Sequence, residues 1–60
     1  MAMMSVNEVA EFLGVQEVRV ERLERESLLV SSGQDDQGRP MFKQEDVQKY
    51  KDFAERLGGL

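Results

Sequence analysis

The sequence predicts a mainly α fold with one small β-hairpin. Three observations carry this: two short segments with helical apolar spacing near the start, a long one near the end, and a polar stretch flanked by glycines between them. In "SVNEVAEFLGV", Ser5 and Glu8 have the spacing of a capping box, in which the hydroxyl accepts from the Glu8 amide and the carboxylate reaches back. A helix therefore begins at Ser5, buries Val6, Val9, Ala10 and Leu13 with Phe12 extending that face, and stops after about two turns at Gly14. The second helix is expected from about Gln16 to Glu26, with Val20 and Leu23 inward and Val15 packed in the turn before it.

Leu28, Leu29 and Val30 suit a short strand. The turn chemistry of "GQDDQG", Gly33 to Gly38, then folds the chain into a hairpin returning through "RPMF", with Pro40 confined to an edge or strand end. In "KQEDVQKYKDFAERLGG", Val47, Tyr50, Phe53, Ala54 and Leu57 recur at intervals of three and four, with acids in the first turn and Arg56 in the last. This predicts a third helix ending at Gly58, with Leu60 folding back on its last turn and with Tyr50 and Phe53 in the core. Residues 5–58 then form one domain and residues 1–4 a disordered lead. The order helix, tight turn, helix, hairpin, helix is that of a winged helix-turn-helix.

Composition limits what such a domain can do. Sixty residues without cysteine or histidine have no disulfide, no thiolate, no usual zinc ligand and no imidazole base. A chain this short buries only about 60% of its unfolded surface, and no acid or lysine pair is framed by anything resembling a pocket. No enzymatic activity, cofactor or metal is expected. No apolar run approaches the roughly 20 residues of a membrane span, and "MAMM" lacks the charged lead and apolar segment of a signal peptide, so a cytoplasmic protein is expected. Twelve Asp and Glu against eight Lys and Arg argue against a surface that coats nucleic acid indiscriminately.

Three motifs in order resemble the MerR and excisionase families. "VNEVAEFLGV" looks like their opening helix, "ERESLL" (Glu24 to Leu29) is similar to the close of the second helix in MerR-like regulators, and "GRPMFKQEDV" (Gly38 to Val47) resembles their wing and third-helix start. The resemblance implies sequence-directed binding of double-stranded DNA, as a transcriptional regulator or an excisionase-like architectural factor. It places the second helix in the major groove and the wing on the flanking backbone, with the protein nucleoid-associated when bound. Three residues depart from the pattern: Gln16 stands at a Ser or Thr cap, Ser27 at a glycine, and Glu21 where an arginine is common. Full MerR regulators continue into a long dimerising helix and an effector domain, so effector sensing is not expected of these residues.

Rotation at about 100° per residue resolves the mixed charges of the second helix into two stripes. Arg19, Arg22 and Arg25 fall on one flank with Val18, and Glu17, Glu21 and Glu24 on the other, while Glu26 joins the arginines. Arg19 and Arg22 are the expected groove readers, because a guanidinium pairs with guanine edges and also binds phosphate. Gln16 precedes them, and Arg39 and Lys43 are placed for phosphates. Glu17 either accepts from a cytosine amino group or repels wrong sites. Asp35 and Asp36, at the wing tip, are expected to stay away from the duplex.

The plainer reading of the same residues is a solvated helix with a Glu21–Arg25 pair, worth a few tenths of a kcal/mol. Met3, Met4 and Met41 would fill gaps or fray, and Lys49 and Lys51 would face solvent. A second function, a protein-interaction module using Glu17, Glu21, Glu24, Asp35 and Asp36 against a basic partner, fits the acidic balance. Because one recognition helix buries little, a homodimer or cooperative assembly on DNA is a third expectation, with Val18 and Leu60 as its contacts.

Overall fold

The computed structural model of the chain describes residues 2–58. Its elements run β1 (Met3–Ser5), α1 (Val6–Leu13), α2 (Glu17–Arg25), β2 (Met41–Lys43) and α3 (Gln44–Arg56). Three helices with a small sheet and a wing make a winged helix-turn-helix, as the sequence predicts. Both arms of the capping box form: the Glu8 amide donates to Ser5 Oγ at 3.2 Å and the Ser5 amide donates to Glu8 Oε1 at 2.9 Å.

Helices α1 and α2 end in the same way. After α1, Gly14 takes φ +74° and its amide donates to Glu11 O, while the Val15 amide donates to Ala10 O. After α2, Ser27 takes φ +63°, its amide donates to Glu24 O, and the Leu28 amide donates to Leu23 O at 2.9 Å. Both are Schellman endings, in which a left-handed residue lets two orphan carbonyls find donors. Glycine fills that position without penalty, but a β-carbon there costs roughly 1–2 kcal/mol. We predict that Ser27→Gly gains about 0.5–1 kcal/mol, which in a domain this small raises the thermal midpoint by several degrees. A circular dichroism melt showing no rise would mean the turn relaxes around serine without strain.

The sheet differs from expectation. Met3 and Met4 are not a disordered lead: β1 pairs antiparallel with β2 in the register Met3↔Lys43, Met4↔Phe42, Ser5↔Met41, and the Gln44 amide donates to Ala2 O. The pairing satisfies the backbone of β2 along one edge and brings Met4 against the core. Nor do Leu28, Leu29 and Val30 form a strand. The hairpin begins further on, where the Ser32 amide donates to Met41 O and the Met41 amide to Gly33 O, so that two residues oppose one as in a β-bulge. A lone bridge, Gln34↔Pro40, continues it. Asp35 closes the tip, its carboxylate accepting from the amides of Gln37 (2.8 Å) and Arg39 (2.9 Å).

Val9, Val20, Phe42 and Val47 are fully buried, one from each of α1, α2, β2 and α3, and Leu29 inserts beside them from the segment after α2. Each such side chain contributes roughly 1.5–3 kcal/mol by leaving water. Val6, Val9, Ala10, Leu13, Val20 and Leu23 are buried as expected, and Phe12 and Val15 are partly buried against them. On α3 only Val47 and Ala54 are buried and Tyr50 packs partly, while Phe53 and Leu57, expected inside, are 55% and 72% exposed. Lys51 does not simply solvate α3, since its ammonium lies 4.7 Å from the centroid of the Phe12 ring. The expected contact of Leu60 lies outside the described residues.

Candidate nucleic-acid interface

The turn from Gly14 to Gln16 sets α2 across α1 and leaves one side of α2 open. Gln16 caps α2 with its backbone only, since its side chain makes no capping bond. The first turn is instead fixed by Glu17, whose carboxylate accepts from Asn7 Nδ2 at 2.9 Å and so ties α2 to α1. An acid in the first turn also complements the positive end of the helix. Glu17 is thus already engaged inside the protein.

The two charge stripes are present. On one side, Val15, Gln16, Val18, Arg19, Arg22 and Arg25 line a single shallow concavity. All but Val15 are exposed, Val18 at 65%. On the other side, Glu17, Glu21 and Glu24 line the cleft between α2 and the wing, together with Arg25, Arg39 and Pro40. Arg25 therefore borders both surfaces. Glu24 is held from the loop by Ser31 Oγ, which donates to it at 3.4 Å.

The remaining expected residues separate. Arg39 belongs to the acidic cleft, on the far flank of α2 from Arg19 and Arg22. Lys43, half-buried at the start of α3, lines another hollow with Ala2, Gln44, Glu45 and Gln48. The sequence-predicted set thus contains one compact cluster, Gln16, Arg19, Arg22 and Arg25, with Glu17 and Arg39 in the neighbouring cleft and Lys43 apart from both. Ionic pairing does little to hold the arginines: among the described residues the ion pair is Arg22 with Glu26 at 3.3 Å, not Glu21 with Arg25. Its partners are 71% and 49% exposed, so it is worth at most about 1 kcal/mol and opens readily to a phosphate or a base edge.

The sequence placed Val18 on the arginine flank but assigned it to assembly and not to DNA contact. Its place one residue before Arg19 on the outward flank was readable from the helical rotation. An exposed valine in the same concavity as the arginines suits an apolar contact with a thymine methyl.

No family model matches the sequence, and no curated protein matches it. Among solved structures, the chain resembles HiNmlR, a MerR family regulator lacking the sensor domain, in its crystal structure bound to promoter DNA. The TM-score is 0.68 over 98% of this chain, at 21% identity, and the chain spans 46% of that protein's length. The likeness is one of fold, and it extends the winged helix-turn-helix assignment over nearly the whole chain.

Proposed function

We propose that this chain is a double-stranded DNA-binding domain of a transcription regulator, reading its site through α2. The observation that carries the reading is the joint exposure of Gln16, Val18, Arg19 and Arg22 on the open side of the second helix of a winged helix-turn-helix. That helix enters the major groove in proteins of this architecture, and the fold neighbour was crystallised on promoter DNA. Arg19 and Arg22 pair with base edges, Arg25 takes a phosphate beside them, and Arg39 reaches the flanking backbone from the wing. An excisionase-like architectural role uses the same contacts without regulating transcription. The acids beside them hold down nonspecific affinity, so that discrimination comes from the base contacts.

The experiment is a titration of labelled duplex, selected from a random pool, at several salt concentrations. The two phosphate contacts, from Arg25 and Arg39, give a slope of log K against log salt near −2. A flat response, or no enriched sequence, removes the proposal.

One observation favours a second reading. Glu17, Glu21 and Glu24 face the wing across a cleft that also holds Arg39. A basic segment of a protein partner fits that cleft electrostatically better than DNA does. Substituting Glu21 and Glu24 with Gln separates the two: DNA affinity rises under the first reading, and capture of a basic peptide falls under the second.

A further inference from the structure

The core uses Tyr50 of α3 only in part. Its side chain packs against the buried cluster, yet the residue also lines a surface hollow with Arg19, Arg22, Leu23, Glu26 and Leu28. The arginine side of α2 and the middle of α3 therefore meet at one place. Among the described residues no side-chain hydrogen bond involves the Tyr50 hydroxyl. Since no buried side-chain oxygen or nitrogen among those residues lacks a partner, that hydroxyl reaches solvent. It adds nothing to the packing that phenylalanine would not supply.

We infer that the Tyr50 hydroxyl is a DNA backbone contact, donating to a phosphate oxygen on the wall of the groove that α2 enters. The inference rests on the DNA-binding reading and adds to it an element, α3, that the reading leaves out. Width carries the argument. The major groove is about 12 Å across and a helix with its side chains about 10–12 Å, so α2 fills it from wall to wall. Side chains central on the outer face of α2 reach base edges, whereas a group on a neighbouring element, held to one side of α2, meets the phosphates of the wall. Tyr50 is held on the arginine side, in the hollow with Arg19 and Arg22. Arg39 is held on the other, in the cleft with Glu21 and Glu24. The two grip opposite walls of one groove.

Tyrosine suits its wall for two reasons. Its ring is already fixed by packing, so the contact costs little of the rotamer freedom that a long cationic side chain gives up. It is also neutral. Glu26 lies in the same hollow, its carboxylate turned to Arg22 at 3.3 Å. A lysine in place of Tyr50 would pair with that acid, while a neutral hydroxyl stays free for the phosphate.

The test compares Tyr50→Phe with the parent on the duplex selected from the random pool and on a scrambled duplex, at several salt concentrations. Losing one hydrogen bond to a charged oxygen is expected to weaken binding to both duplexes by about 10-fold. The slope of log K against log salt keeps the parent's value, because a hydroxyl releases no counterion, whereas Arg39→Ala lowers it by about one. The ring remains, so the circular dichroism melt is expected to match the parent. Duplexes carrying a neutral methylphosphonate in place of one phosphate then locate the contact. One position is expected to cost the parent about 10-fold and Tyr50→Phe nothing further, since the two halves of one contact are not additive. If Tyr50→Phe binds both duplexes as tightly as the parent, the inference is overturned and the DNA-binding reading stands. A weakening with no phosphate position that distinguishes the two proteins also overturns it, and assigns the hydroxyl to holding α3. A parent that binds no duplex removes the reading itself, and this contact with it.

Discussion

Phe42→Ala is expected to unfold the protein, or to leave it so near its midpoint that native and unfolded chains coexist at room temperature. Phe42 is fully buried in β2, opposite Met4 of β1, within the core that Val9, Val20 and Val47 complete. Truncating a buried phenylalanine costs about 3–5 kcal/mol, part in lost transfer free energy and part in the cavity left behind. A chain of 60 residues has a total stability of roughly 3–9 kcal/mol on the usual per-residue scale, so a single side chain accounts for a large fraction. Neighbours have little freedom to collapse into the space, because each fully buried partner belongs to a different element. Phe42→Leu keeps most of the volume and is expected to cost about 1–2 kcal/mol. The measurement is a urea titration followed by far-UV circular dichroism, the chain having no tryptophan to report by fluorescence. A Phe42→Ala protein that still unfolds cooperatively, within 1 kcal/mol of the parent, would show that Phe42 does not organise the core.

What the sequence reveals about this fold is what local chemistry determines. The capping box at Ser5, the stop at Gly14, and the inward Val20 and Leu23 depend on residues within one or two turns of each other, and all appear as read. β1 was not legible, because its register pairs residues about forty positions apart and methionine has no strong strand preference to announce it. Phe53 and Leu57 were misplaced for another reason. Their spacing with Val47 and Tyr50 is correct for one apolar stripe, but the stripe is wider than the single small layer available to cover it. Periodicity identifies a face and cannot say which edge of it meets the core.

The site divides along the same line. The two stripes of α2 follow from rotation about one helix axis, and the structure keeps them on separate surfaces. The position of the wing does not follow, because the left-handed Ser27 and the bulge at Ser32 and Gly33 decide on which flank the hairpin descends. That geometry puts Arg39 among glutamates rather than beside Arg19, and it turns Asp35 from a charge at the tip into the acceptor that closes the turn.

Replacing Arg19 and Arg22 together with alanine is expected to lower affinity for the selected duplex by about 30-fold to about 20,000-fold. This corresponds to two base contacts of about 1–3 kcal/mol each. Both side chains are exposed and neither supports the core, so the variant should melt within about 0.5 kcal/mol of the parent. Removing Arg22 releases Glu26 from an exposed pair of little worth, and the freed carboxylate adds only weak repulsion. Arg39→Ala provides the contrast. A phosphate contact from the wing, softened by the nearby acids, weakens selected and scrambled duplexes alike and reduces the salt slope by about one, whereas loss of Arg19 and Arg22 also flattens the preference between the two duplexes. Arg25 tests the boundary between the stripes: facing both, it should follow Arg39 in its effect on scrambled DNA if its partner is a phosphate. If the double alanine variant still discriminates selected from scrambled duplex as well as the parent, the exposed arginine face of α2 is not the reading surface, and the acidic cleft beside the wing becomes the functional side of the fold.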